Sequence, residues 1–315
     1  MDQKFKSLQQ KVDESLGSFR GRELGVKLVI DLHCHILPGL DDGPSTLAIS
    51  LQMASAFVEN GVSVVACTPH ILPGLYNNSG PQIRRAAAHL QQRINEKGIS
   101  LQLVTGADNH ITPDFVDQLR RGHLLSLADS RYVLVEPPHH VAPPRLRELF
   151  FDLIVAGYVP VLTHPERLTW INSHYKSMTQ LVQAGVWLQL TAGSLAGAFG
   201  KNARYWSERM LEDGVVHILA TDAHDIERRP PNLRKGRDLA ARRIGDREAE
   251  NLVATRPEGV LRNAMPSTLP LPAQAIVRKD AAESETDEFE TAQSNRSDDR
   301  ADHGGIGHWL RRFIE

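Results

Sequence analysis

Asp31-Leu32-His33-Cys34-His35 ends the first β-branched run of the chain, which begins at Val26. On extended backbone alternate side chains share a face, so His33 and His35 point one way and Cys34 the other. Two imidazoles on one face can converge on a metal ion. A single His-x-His pair arises easily by chance, and repetition is what gives this one weight. All but one of the later apolar runs also end in a ligand-type side chain: His70, Asp108, Glu136, His164, and the pair Asp222 and His224. Buried together, these groups would be unstable unless charge-paired, hydrogen-bonded or metal-bound, and no matching set of Lys residues accompanies them. Several divalent ions are the economical reading. Nitrogen and carboxylate donors without a thiolate suit manganese, iron or zinc.

Three further positions sit beside these motifs. Asp41-Asp42-Gly43-Pro44 follows the His-x-His, and its plainer reading is a turn with a helix N-cap. Its nearness to the histidines makes Asp42 a candidate ligand and Asp41 a candidate catalytic group. Arg167, in His-Pro-Glu-Arg, and Arg229, shortly after Asp222-Ala-His224, are cations placed next to ligand motifs. Metal ions flanked by guanidinium groups suit a phosphoryl oxyanion, whereas the plainer reading of each Arg is a rim salt bridge. His89, His123, His174 and His217 fall in helices or at strand starts and read as structural or exposed. His139 and His140 lie on the loop after the fourth run and are candidates to line the entrance, at a spacing that does not demand it.

The elements that must position these groups follow from the pattern between them. Candidate strands at Val26–Asp31, Val62–Cys67, Leu101–Thr105, Tyr132–Val135, Val159–Thr163, Val186–Leu190 and His217–Thr221 alternate with helical stretches such as Ser45–Asn60, Pro81–Lys97 and Lys201–Asp213. Such alternation marks βα units and a parallel sheet. From His33 the ligand positions advance by 37, 38, 28, 28 and 58 residues, the last step holding two βα periods. That is the pitch of a β/α barrel, whose active-site groups gather at the C-terminal rim of its strands. A final helical region over Asn232–Ala254 would cover the end of the sheet. Residues 1–25 read as a polar helix and linker with Phe5, Leu8, Val12 and Leu16 at helical spacing, residues 26–264 as the barrel, and residues 265–315 as a tail. In that tail Lys279–Asp302 carries nine acidic residues against three basic ones, too polar to offset its ordering entropy, and is expected to be disordered.

Composition narrows the function classes. The 315 residues hold 36 Lys+Arg against 38 Asp+Glu, so no overall basic excess exists to hold nucleic acid. No apolar run approaches a membrane-spanning length and the N-terminus has no signal-peptide core, so the expected location is cytoplasmic. Two Cys are too few for a disulfide scaffold. Neither is followed by Arg at Cys-x5-Arg spacing, which argues against thiol phosphatase chemistry, and no GxxxxGK[ST] phosphate loop is present.

DLHCHILPGLDDGP, CTPH, TGAD, LVEPP, VLTHPER and TDAH…RRPP, in that order over about residues 28–262, resemble the PHP (polymerase and histidinol phosphatase) superfamily. Within it they are most similar to the bacterial metal-dependent protein-tyrosine phosphatases encoded with capsule and exopolysaccharide genes. The resemblance implies a distorted (β/α)7 TIM-like barrel with two to three divalent ions, manganese first. It also implies a phosphotyrosine protein substrate, with a bacterial tyrosine kinase as partner. By motif, His33, His35 and Asp222 would hold one ion, Glu136 and His164 a second, and Asp42, His70 and His224 a third. The family's bridging Glu falls at Asp108, one methylene shorter, and His110 is a candidate to compensate. Alternatives are a small-molecule phosphomonoesterase of the same superfamily and a catalytically weakened regulatory binding protein. A homo-oligomer through the N-terminal helix is a further expectation.

Overall fold

The apolar runs form nine strands among residues 28–273, which are the residues described by the structure, a computed structural model. They are β1 (Val29–Cys34), β2 (Val62–Cys67), β3 (His70–Ile71), β4 (Gln102–Thr105), β5 (Asp108–His110), β6 (Tyr132–Glu136), β7 (Val159–Thr163), β8 (Trp187–Thr191) and β9 (Ile218–Ala220). Every pairing between them is parallel, in two sheets ordered β1-β2-β4 and β3-β5-β6-β7-β8-β9. The expected N-terminal helix and the acidic run of the tail lie outside the described residues.

Counted as continuous runs, the nine strands reduce to the seven that the pattern predicts, because two pairs of them are each one interrupted run. β2 and β3 are one run interrupted at Thr68-Pro69, where proline has no N–H to give to the ladder; β4 and β5 are one run interrupted at Gly106-Ala107. The bends pass each run from the first sheet to the second. The Thr68 N–H donates to the Cys34 carbonyl and the Gly106 N–H to the Cys67 carbonyl, so the joints remain hydrogen-bonded. At the other end, the Asp222 N–H donates to the His33 carbonyl and the His35 N–H to the Ala223 carbonyl, each at 2.9 Å, bringing the end of β9 against β1. The result is a distorted (β/α)7 barrel.

Among the described residues ten α-helices occur in chain order: α1 (Leu47–Glu59), α2 (Gly80–Glu96), α3 (Phe115–Arg120), α4 (Leu146–Val155), α5 (Ile171–Gln183), α6 (Ala192–Leu195), α7 (Gly200–Glu212), α8 (Leu233–Ile244), α9 (Asp246–Glu250) and α10 (Arg256–Leu261). α2 shows why they pack as they do. Ile83, Ala87, Leu90 and Ile94 recur every three or four residues and are its buried stripe. Such stripes meet the outer faces of the strands in one large apolar cluster, while Ile30, Leu32, Val64, Tyr132, Val161 and Trp187 belong to a second, inner one.

Three boundaries differ from the pattern. β1 starts at Val29 and extends past Asp31 to Cys34, taking in His33 but not His35, with register shifts on β2 between Val29 and Ile30 and between Asp31 and Cys34. Such an irregularity re-aims side chains: Ile30 and Leu32 join the inner cluster, whereas Cys34 joins the outer one. The final helical region is not continuous, because Gly245 adopts φ 80° and ends α8, after which helical turns resume and reach Leu261. Residues 265–273, which composition assigns to the tail, pack on the barrel. Leu269 lies against the inner cluster, and the Pro270 carbonyl accepts a hydrogen bond from Arg256 Nε at 2.8 Å.

Candidate metal centre

The C-terminal ends of the strands bring all nine predicted ligand residues into one mouth. β1 supplies His33 near its end and His35 follows it, β3 starts with His70, β5 with Asp108, β6 ends in Glu136, His164 follows β7, and Asp222 and His224 follow β9. Two of them stand on left-handed backbone, His164 at φ 31° and Asp222 at φ 52°. Non-glycine residues hold that conformation at a cost of about 1–3 kcal/mol each, and such strain concentrates at functional sites. The loop carrying Asp42 is pressed onto β1, since a Cβ on Gly43 would stand 2.2 Å from the His35 carbonyl oxygen.

The donor atoms are spaced for metal ions. Ligands at ~2.0–2.2 Å from a shared ion lie roughly 3–3.5 Å from one another. His33 Nε2 and His35 Nε2 are 3.2 Å apart, and Asp222 Oδ1 is 3.4 Å from the first and 3.2 Å from the second. Asp108 Oδ2 is 3.4 Å from His33 Nε2. A second group joins Asp42 Oδ1 to His224 Nε2 at 3.3 Å and to His70 Nε2 at 3.6 Å. A third joins His164 Nε2 to Glu136 Oε1 at 3.6 Å and to Asp108 Oδ2 at 3.9 Å. Hydrogen bonding leaves these groups unsatisfied: both carboxylate oxygens of Asp108 and His164 Nδ1 are buried without a hydrogen-bond partner. Orphaned acceptors at this density are costly without a cation. The residues present therefore fit metal binding by nitrogen and oxygen donors.

Electrostatics point the same way. Burial opposes the charge on His33, yet Asp108 and Asp222 outweigh it and raise its pKa to about 9. His70 is raised to about 10 against burial by Glu136 and Asp108. Burial and the nearby His35 lower His224 to about 4. Asp222 is held well below the usual carboxylate range, against its own burial, by His33 and Arg229. In effect, protons on some of the rings occupy the role that cations would take among the carboxylates.

Arg167 and Arg229 reach the same carboxylate. Arg167 Nη1 and Arg229 Nη2 both donate to Asp222 Oδ2. The guanidinium carbon of Arg167 stands 4.3 Å from the centroid of the Phe199 ring and that of Arg229 stands 5.8 Å from it, so one aromatic face carries both cations. Arg229 Nε is buried and donates to no acceptor, which leaves a donor for an anion. Beside it lies a cavity of about 210 Å³ whose lining includes Ala192, Gly193, Phe199, Arg229, Pro230 and Lys235.

Asp41 stands differently from the catalytic place expected of it. Its fully buried carboxylate accepts from His35 Nδ1 at 2.7 Å, the His70 N–H at 2.9 Å and the Gly43 N–H at 3.0 Å. It thereby fixes the ring of His35 with Nε2 toward the mouth. Gln189 does the same for His33, with Oε1 2.8 Å from Nδ1. Gln189 was not foreseen, although its signal was visible as the polar side chain within Trp-Leu-Gln-Leu, the one run that ends in no ligand. Glu166 was also missed. It is buried, and its Oε1 accepts from the Thr191 N–H and Ser194 Oγ, tying the His164–Arg167 turn to β8 and α6. His139 enters the site, with Nε2 3.1 Å from Glu136 Oε1, and the outer face of His70 is stacked by Tyr76 at 5.6 Å. His89 and His123 are exposed and His217 is buried far from the mouth, against Trp187.

Barrel and donor set together define a class: a TIM-like barrel with clusters of His and carboxylate side chains able to bind metal at the C-terminal ends of its strands. Within that class, residues 29–262 match the family described as "Capsular polysaccharide synthesis, CpsB/CapC". The chain belongs to the CpsB/CapC family. It is 36% identical over 235 residues to the tyrosine-protein phosphatase YwqE of Bacillus subtilis (strain 168), covering 75% of this chain and 92% of that protein. It is 31% identical over 207 residues to the putative tyrosine-protein phosphatase CapC of Staphylococcus aureus, covering 66% of this chain and 81% of that one. A crystal structure from work on YwqE and on CpsB of Streptococcus pneumoniae, described as unique metal-dependent tyrosine phosphatases, superimposes with a TM-score of 0.72 at 36% identity. That match covers 75% of this chain and 95% of that one.

Proposed function

We propose that this protein is a metal-dependent protein-tyrosine phosphatase. The observation that carries the reading is the convergence, in one mouth, of unpartnered acceptors suited to cations with two guanidinium groups suited to a phosphoryl anion. The names of the relatives supply the substrate class. His33, His35 and Asp222 would hold one ion, Glu136 and His164 a second, and Asp42, His70 and His224 a third, and Asp108, whose Oδ2 is near both His33 and His164, would also be a ligand. Divalent ions, manganese first with iron or zinc as alternatives, would supply Lewis acidity there to activate water and offset phosphoryl charge.

The chain's own residues do the rest. Asp41 and Gln189 hold the rings of His35 and His33 in orientation. Arg167 and Arg229, held on Phe199, offset charge on the phosphoryl oxygens as the ester bond breaks. The cavity bordered by Phe199 and Pro230 offers an apolar wall beside Arg229 for the phenyl ring of phosphotyrosine. A phenol of pKa ~10 leaves more readily than an aliphatic alcohol, so the site depends less on a strong proton donor. The substrate we propose is a bacterial tyrosine kinase of capsule or exopolysaccharide synthesis, met in the cytoplasm, a setting that the two buried free cysteines fit.

The test is phosphate release from phosphotyrosine peptides, phosphoserine peptides and histidinol phosphate, with and without Mn2+ and after chelation. Metal-dependent release with preference for phosphotyrosine is expected. Rates unaffected by chelation would sink the metal reading, and preference for histidinol phosphate would displace the tyrosine assignment. No helix among the described residues is long and apolar enough to cross a membrane.

A further inference from the structure

Glu136 receives more imidazole than a single ligand role requires. Its Oε1 faces His139 and His164, while its Oε2 faces two other rings. His70 Nδ1 is 3.1 Å from Oε2, and His110 Nε2 is in direct contact with it. His110 Nε2 and His70 Nδ1 are 3.3 Å apart, and Asp108 Oδ2 stands 3.5 Å from that same His70 nitrogen. Donors from β3, β5 and β6 thus cluster, with His70, His110 and Glu136 each offering a ligand atom within 4.8 Å of the others, a group able to hold a common ion. His110 is placed there by β-strand geometry, two residues beyond Asp108 and so on the same face of β5. It is not an idle surface ring, since its side chain is only 16% exposed.

We propose that His110 is a metal-ligating residue, holding a divalent first-row transition metal ion together with Glu136 on the Oε2 side. Imidazole with carboxylate is a donor pair such ions favour. The competing role is positioning, in which His110 only donates a hydrogen bond to Glu136 and holds the carboxylate for an ion bound elsewhere. The two roles make different demands on the side chain. A glutamine at this position can still donate to Glu136 through its amide, yet it is a poor substitute for a ring nitrogen on a transition metal.

The inference rests on the metal centre proposed above but not on its substrate, so its test uses metal alone. Wild type, His110→Ala and His110→Gln are stripped with chelator, dialysed against Mn2+ or Zn2+, and analysed for ions per chain and for affinity by calorimetry. Circular dichroism of the stripped proteins checks the fold. Both variants are expected to lose one ion per chain or to bind it at least ~10-fold more weakly, the scale on which a metal site responds to a lost supporting group. In a Zn2+-soaked crystal of the wild-type protein, an anomalous peak is expected ~2.0–2.1 Å from His110 Nε2. Restoration of metal content by Gln, unchanged content in the Ala variant, or a peak more than 3 Å from Nε2 would each overturn the proposal. If wild type binds no ion at all, the metal centre itself fails, whereas normal loading of wild type with unchanged variants removes only His110.

Discussion

At the scale of single residues the site divides into acceptors that need cations and donors that need an anion. Asp222 joins the two sets, with Oδ1 facing His33 and His35 and Oδ2 taking Arg167 and Arg229. In the proposed reaction, removing either guanidinium would leave a phosphoryl oxygen less well stabilised while the histidines keep their places. Arg167→Ala and Arg229→Ala are each expected to lower kcat/KM on a phosphotyrosine peptide by ~10²–10³-fold, as loss of one oxyanion donor does elsewhere. Metal content should stay at the wild-type level. An Ala variant within threefold of wild type would show that the guanidinium serves only as a salt bridge. Much of this set was legible in the chain, because ligand chemistry restricts the residue types and strand ends recur at a fixed pitch. Gln189 and His139 were not, since what brings them to His33 and Glu136 is the approach of strands and loops rather than any local motif.

Among the elements, the joints decide the geometry. The run of β2 is broken by Thr68-Pro69 and that of β4 by Gly106-Ala107, and the short strands beyond carry His70, Asp108 and His110 into the mouth. The helices beside the Arg229 cavity are in close contact too: a Cβ on Gly236 of α8 would stand 2.4 Å from the Ala192 Cβ of α6 and 2.8 Å from its Cα. Backbone cannot yield as a long side chain does, so Gly236→Ala is expected to destabilise the protein by about 1–3 kcal/mol despite the better helix propensity of alanine. A fall in melting temperature of several degrees would register it, and an unchanged or higher value would mean that α8 can shift freely. Helix positions were legible from apolar spacing, as α2 shows. The break in the last helical region was not read, although Gly245 marks it, because helical pattern continues on both sides of the glycine.

For the whole molecule, closure of the barrel buries polar groups at both ends. Opposite the metal mouth, His217 accepts a hydrogen bond at Nδ1 from the Leu188 N–H, stacks on Trp187, and lies near Arg256, whose guanidinium pairs with Glu248. Burial, reinforced by the Arg256 charge, lowers the His217 pKa to about 3, against an unfolded value near 6.5. Its contribution to stability is complete above pH ~6.5. It is lost progressively as pH falls toward 3, because the unfolded chain binds a proton that the folded chain refuses, at up to about 1.4 kcal/mol per pH unit. His217→Gln should therefore show a shallower loss of unfolding free energy between pH 6 and pH 4 than wild type, and equal slopes would refute the linkage. The sequence by itself determined the class of barrel and the identity of the donors, because period and residue type are local properties of a chain. Only the tertiary structure decided which donors share a gap, that Asp41 steadies His35, and that His110 reaches Glu136. Those relations depend on bent strands, left-handed residues and contacts between segments far apart in the chain, and a gap a few ångströms wide is set by packing that no local pattern encodes.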